Sequence, residues 1–435
     1  MTWNPLAPLT TAALRRRAAS GAALLLAGSL ALAGCSATTT GTAAAGTTTS
    51  TTTSSTASTT AIDTSSSGSA DATTTSRTTT DTAAAAEAFL ATLSEEQREA
   101  VLYAYDDETK TTSWSNFPVT FVERAGLNLA DLTAEQQDAA TAVLEALLSE
   151  EGYATVTGII GGDQYLADSS SSTEDSLGQY YIAFFGDPSD TSAWEVQFGG
   201  HHLGINATLD GAAGSITFAP THLGTQPAVY TNADGEEVQP LAGMYETAFA
   251  FYDSLTEEQL AALYQGEEVS AMVCAPGSTC EYPTGTGLSG ADLTDEQEQL
   301  LLDVVANWVG LADEETTAEA LAEIEATLDE TYVNWSGATV YDTTQGDGIY
   351  FQVSGPDVYV EFAAQQGSAG ADVDGVTTSG WGHVHTIYRD PGEDYAGSVT
   401  QQESTGTGGG PGGGGAPAGA PGNGQVPSGA APASA

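Results

Sequence analysis

The chain has 435 residues, with 58 Asp and Glu against 8 Lys and Arg, for a formal charge of −50. A field of that sign repels nucleic-acid phosphates and anionic lipid headgroups, excludes nucleic acid as a natural partner, and favours cations. It suits a salty exterior where screening is short-ranged, and halophilic adaptation explains it at least as well as an acidic binding surface does.

Residues 1–34 read as a secretion signal. Arg15-Arg16-Arg17 form a charged segment, and Gly21 to Ala33 form an apolar run too short for a permanent membrane span. The run ends in Leu32-Ala33-Gly34-Cys35, which resembles the lipobox of bacterial lipoproteins. That resemblance implies cleavage before Cys35 and acylation of its thiol. The protein would then be exported and anchored by lipid on the outer face of the bacterial cytoplasmic membrane or in the envelope. The arginine run also leaves a twin-arginine export route open.

Residues 35–83 are almost wholly Ser, Thr, Ala and Gly. Such a segment lacks the apolar residues that offset ordering entropy, which predicts a disordered tether reaching roughly 35–40 Å. The Gly/Pro/Ala-rich stretch 401–435 reads as a disordered tail.

Between them the sequence repeats itself. Leu93-Ser-Glu-Glu-Gln97, Leu132-Thr-Ala-Glu-Gln136, Leu255-Thr-Glu-Glu-Gln259 and Leu293-Thr-Asp-Glu-Gln297 each place a Ser or Thr N-cap three residues before a Gln. This is a capping box, and acids in the first turn complement the helix dipole. Amphipathic helices are predicted from each, for example over Gln97 to Tyr105 and Gln136 to Leu148. β-Rich segments follow each pair of boxes. Tyr180 to Pro188 with Trp194 to Phe198 parallels Gly348 to Pro356 with Val358 to Phe362, and both read as hairpins with one polar and one apolar face. The reading is α+β, with two duplicated halves at 84–243 and 244–400. Each half is a helix pair followed by antiparallel strands, related by a pseudo-twofold axis.

All five histidines fall in three clusters, His201-His202, His222 and His383-Val384-His385. Two clusters follow corresponding hairpins, so facing halves would bring them into one cleft. His383 and His385, two apart on a strand, share a face and can chelate one ion. His201 and His202, as strand neighbours, would point to opposite faces unless Gly199-Gly200 bends the chain. Three imidazoles with an open position suit a divalent transition metal, zinc or copper. Glu195 and Glu361 are candidates for a carboxylate ligand or general base, and Arg389 for holding an anionic substrate, against a salt bridge to Asp390 or Asp394. His222, a loop residue, reads as the weakest candidate. A metal-free site and a structural role for the histidines remain open. Cys274 and Cys280 are left to pair as a disulfide once Cys35 takes the lipid.

Several stretches resemble an uncharacterised family of bacterial exported proteins, catalogued as domain of unknown function 3500. They are Trp114-Ser-Asn-Phe-Pro118, Arg124-Ala-Gly-Leu127, Phe185-Gly-Asp-Pro188, Trp194 through Leu203 with Asn206, Gly355-Pro356, and His383 through Pro391 with Asp394-Tyr395. The resemblance covers most of 85–397 and implies no activity. The expected function is therefore open among three: a metal-dependent hydrolase or oxidase, a lipoprotein that binds a metal or small molecule without turnover, and a structural envelope protein.

Overall fold

A computed structural model of the protein describes residues 74–402, apart from residue 175 and residues 267–271, 343–346 and 367–370. The signal segment, Cys35, most of the tether and nearly all of the tail lie outside the described residues. Among these residues there are nine α-helices: α1 Thr74–Thr92, α2 Glu95–Val101, α3 Thr109–Thr112, α4 Ala134–Leu147, α5 Glu150–Ser169, α6 Ala242–Ser254, α7 Glu257–Leu263, α8 Asp295–Val309 and α9 Glu314–Glu325.

All four capping boxes form, on Ser94, Thr133, Thr256 and Thr294. They also touch in pairs: Gln136 Nε2 donates to Gln97 Oε1 at 3.1 Å, and Gln259 Nε2 donates to Gln297 Oε1 at 2.8 Å. Two boundaries differ from expectation. Helix α2 ends at Val101 instead of Tyr105, because Leu102 and Tyr103 leave it to pair with a strand. Helix α1 begins at Thr74, inside the segment expected to be tether. Threonine is a poor helix former, but Thr79 Oγ1 and Thr82 Oγ1 bond back to carbonyls four residues earlier. Thr75 is buried against Asp313, Glu315 and Thr316. Tertiary contact overrides propensity here.

The strands are β1 Leu102–Tyr103, β2 Leu127–Asn128, β3 Tyr181–Phe185, β4 Ala193–Gly199, β5 Leu203–Asp210, β6 Ser215–Thr217, β7 Thr221–Thr225, β8 Tyr230–Thr231, β9 Glu237–Val238, β10 Leu288–Ser289, β11 Tyr332–Gly337, β12 Ile349–Ser354, β13 Tyr359–Gln365 and β14 Gly380–Arg389. Twelve form one sheet with path β1-β3-β4-β5-β7-β14-β13-β12-β11-β10, while β8 and β9 pair apart from it. All pairings in the large sheet are antiparallel except β1 with β3. The two expected hairpins are present as β3–β4 and β12–β13. Strands β7 and β14, one from each half of the chain, meet at the centre.

Register separates the faces. Ile182, Phe198 and Ile205 stand opposite one another, as do Val333, Val353 and Val360, and this face packs in the main core with residues of the long helices. The other face carries Glu195, Gln197, Asn206, Thr208, His222, His385, Glu361 and Gln352, linked through the pairs Gln197–Asn206, Glu195–Thr208, Gly224–His385 and Gln352–Glu361. The sequence alternation predicts a half-buried sheet, yet the polar face is buried too, with β4, β5, β13 and β14 almost entirely out of solvent. Chain from the two long inter-element connections lies over it: Trp114 and Cys274 pack with Tyr359 and Ile387. A polar face without water must satisfy itself internally or through a ligand.

Candidate metal centre

The turn between β4 and β5 explains how adjacent histidines come to act together. Gly199 pairs with Gly204, and Gly200 N donates to Leu203 O at 2.9 Å, which leaves His201 and His202 as the two central residues of a tight turn. They are not strand neighbours there, so the expected opposite orientation does not apply. Their ring centroids lie 3.9 Å apart. Both glycines are required by close approach: a Cβ on Gly199 would meet Leu203 O at 2.4 Å, and one on Gly200 would meet Gln179 O at 2.6 Å.

The pairing of β7 with β14 brings the second cluster to that turn. His383 and His385 share a strand face as expected, with centroids 4.9 Å apart. His202 lies 5.5 Å from His383 and 5.3 Å from His385, and His201 lies 6.3 Å from His385. His222, the weakest candidate by sequence, belongs to the group: it is on β7 rather than in a loop, 5.5 Å from His385. Side-chain nitrogens of His201, His202 and His385 all lie within 4.8 Å of one another. By ring position, His202, His383 and His385 form a nearly equilateral set. The two triads share His202 and His385, so these two are common to either way of seating an ion.

Hydrogen bonding fixes which nitrogens face the centre. His222 Nδ1 lies 2.7 Å from the Thr386 carbonyl, which only accepts, so the proton is on Nδ1 and the Nε2 lone pair is free to bind. His202 Nδ1 lies 2.5 Å from Asp163 Oδ1, which fixes the same tautomer. Asp163 also accepts from Tyr180 Oη at 2.6 Å. His385 Nδ1 lies 3.1 Å from Asn116 Nδ2, and the amide Oδ1 has no partner; turning that amide over would let Oδ1 accept the Nδ1 proton and leave Nε2 bare. In consequence His202 Nε2, His222 Nε2, His385 Nε2 and His201 Nδ1 are buried with no protein group in hydrogen-bonding geometry. The His201 carbonyl acts on the His222 ring from outside that geometry. Burial holds His201, His202 and His385 well below the usual imidazole range and lowers His222 to about 4, so all four are neutral at pH 7. A carboxylate or carbonyl behind a histidine whose outer nitrogen is bare is the arrangement of metal-ligating imidazole.

Glu195, Glu361 and Arg389 have other partners. Glu195 pairs with Lys110 at 2.8 Å, both fully buried. Burial pushes its carboxyl up, and Lys110 pulls it back. Glu361 accepts from Val273 N at 2.6 Å, Cys274 N at 2.7 Å and Tyr350 Oη at 2.7 Å. It therefore anchors the Cys274–Cys280 loop, whose cysteines are joined with Cα atoms 5.1 Å apart. Arg389 donates to Asp394 at 2.7 Å and to Ser278 O at 2.8 Å. Burial opposes its charge, and Asp394 with Tyr282 and Tyr395 together more than restore it. None of the three has a histidine among these partners; Arg389 makes the salt bridge that was the alternative to substrate binding.

Residues that sequence reasoning passed over support the centre instead. Asp163 sits on α5 in the buried stripe Val156, Ile159, Ile160, Leu166, and a lone acid on an apolar stripe is a readable signal. Arg124 donates to the carbonyls of Ser115, Phe117, Val122 and Gly200, tying the segment that holds Asn116 to the histidine turn. Burial lowers its guanidinium to about 9, which still leaves it charged. Gly224 lies between two rings: a Cβ there would meet His222 Cε1 at 3.1 Å and His385 Cδ2 at 3.2 Å. No curated protein and no solved structure matches this chain. Residues 75–397 match the family described as protein of unknown function (DUF3500), and the chain belongs to that family.

Proposed function

We propose that the protein is an exported, lipid-anchored metalloprotein whose histidines hold a divalent transition ion, zinc or copper. One observation carries this reading. Nitrogens of the neutral imidazoles His201, His202 and His385 lie within 4.8 Å of one another with His222 and His383 beside them, and His202, His222 and His385 are backed by Asp163, Thr386 O and Asn116. Leaving such groups unsatisfied costs about 1–3 kcal/mol each, which a bound ion would offset. The all-nitrogen set suits zinc or copper(II) better than calcium or magnesium.

Glu195 and Glu361 are committed to Lys110 and to the disulfide loop, so a hydrolase with either as general base loses its support. Redox chemistry at the ion, or binding without turnover, fits better. Nitrogens of His201, His202 and His385 come within reach of one ion, and three imidazoles leave a fourth position open to water or an exogenous ligand. X-ray absorption of the loaded protein separates them, since an oxygen scatterer beside three imidazoles marks an open position. Export and anchoring rest on the lipobox-like Leu32-Ala33-Gly34-Cys35 and are tested by Cys35→Ser, which should release the protein from membranes. We also infer that the halves are duplicated about a pseudo-twofold axis. The paired capping boxes and the central β7–β14 pairing support that reading.

The decisive experiment is elemental analysis of the full chain, purified without chelators, beside a His383→Ala/His385→Ala variant. About one transition ion per wild-type chain and far less in the variant are expected. Equal metal in both would end the proposal.

A further inference from the structure

We infer that the loaded centre takes a small anion as an exogenous ligand, in spite of the −50 charge of the chain. This rests on the metal reading above and names the class of molecule that completes the site. Imidazole brings no charge to an ion. Two charged side chains act on the cluster, Asp163 and Arg124, both of which bear on His201 and His222. Asp163 is bonded to His202 and Arg124 to the Gly200 carbonyl of the same turn; burial raises the Asp163 carboxyl, so ionised it offsets Arg124 and protonated it leaves the site more positive still. The other buried charges of this sheet face are already balanced, Glu195 by Lys110 and Arg389 by Asp394. Glu361 is occupied by two backbone amides and Tyr350.

A divalent ion therefore leaves about two units of uncompensated positive charge in a buried site, a state that is costly until an anion joins it. Size limits the choice. His202 and His222 are fully buried, His383 and His385 nearly so, and space beside His222 and His385 depends on the missing side chain of Gly224. Hydroxide and anions of two or three heavy atoms fit this description; carboxylate polymers and nucleotides do not. The acidic exterior acts differently from the site, repelling anions at a distance, so entry should quicken as salt is added.

The test uses the copper(II)-loaded full chain and sodium azide at fixed ionic strength, followed by azide-to-copper charge-transfer absorption and electron paramagnetic resonance. One saturable azide per copper is expected, with no such band in the His383→Ala/His385→Ala variant. Arg124→Gln should weaken azide roughly tenfold and Asp163→Asn should tighten it by a similar factor, since they remove charges of opposite sign. The wild-type titration stands alone if either variant fails to fold: ammonia, a neutral probe no larger than azide, must bind less tightly than azide. Failure to bind copper through histidine nitrogen sinks the metal reading itself. Copper bound through those nitrogens with a spectrum indifferent to azide overturns the anion alone, and so does a band that persists in the double histidine variant.

Discussion

The polar face of the sheet holds two buried networks with opposite accounts of their hydrogen bonds. Around Glu361, two backbone amides and Tyr350 meet the carboxylate, and Gln352 Nε2 bonds to Tyr350 and Tyr359. Around His385, on the neighbouring strand, four imidazole nitrogens have no such partner. Both regions lie largely out of water, with His201 part-exposed, and both looked like chemistry in the sequence. The first is complete as protein alone; the second becomes complete only with something bound. A buried polar residue type is thus a poor guide to function, whereas the balance of donors and acceptors around it is a good one.

That contrast can be broken by a pair of substitutions. His385→Gln should lower metal affinity by at least roughly a hundredfold, as loss of a ligand exceeds the usual loss of a supporting group. It should leave the metal-free protein within about 1 kcal/mol of wild type, because the bond it removes is the one to Asn116. Glu361→Ala should do the reverse. Val273 N, Cys274 N and Tyr350 Oη lose their acceptor, so stability falls by about 3 kcal/mol or more with metal content unchanged. Urea midpoints and metal analysis on the same preparations decide it, and parallel losses in both variants would erase the distinction. Asp163→Asn comes next, with a roughly 10–100-fold loss of affinity and full occupancy at saturating metal.

Acid sharpens the same comparison through the sign of its effect. The His222 imidazole is lowered to about 4 in the folded protein, so the unfolded chain binds more protons between there and about 6.5. Its contribution to stability is complete above that window and is lost as pH falls through it, on the order of 3 kcal/mol at about 1.4 per unit. His201, His202 and His385 shift in the same direction. The Glu361 carboxyl is shifted upward by burial, so the folded state holds the extra proton and acidification favours it. Between about pH 6.5 and about 4 the metal-free His222→Gln variant should therefore lose less stability, or gain more, than wild type. An unchanged slope would mean that His222 is not held neutral by burial.

Local signals in the sequence were legible where one short segment determines the outcome. The capping boxes, the two hairpins, the shared face of His383 and His385, and the Cys274–Cys280 pair are of this kind. The Gly-His-His turn and the His-Val-His strand also meet, as the sequence reading expected. What could not be read depends on contacts across long separations. Asp163 precedes His202 by 39 residues on a helix, and Asn116 lies 269 residues from His385. His222 looked like a loop residue because Pro220 precedes Thr221, yet β7 begins at Thr221. Alternation suggested a wet polar face, since nothing local announces that Trp114 and the disulfide loop cover it.

The finest test concerns Asn116, where tautomer and ligand geometry meet. If its amide oxygen accepts the Nδ1 proton of His385, the Nε2 lone pair faces the centre; if its nitrogen donates to Nδ1, the proton moves to Nε2 and blocks that ligand. Asn116→Asp removes the ambiguity, because a carboxylate can only accept. It would give His385 the same support that Asp163 gives His202, and metal affinity should hold or rise by up to about tenfold. Asn116→Ala should lower affinity severalfold, with Arg124 still binding the neighbouring Ser115 and Phe117 carbonyls and keeping the segment in place. Competition with a chelating indicator near neutral pH resolves changes of this size. Weaker metal binding by the Asn116→Asp variant than by the Asn116→Ala variant would place the His385 proton on Nε2 and remove His385 from the ligand set.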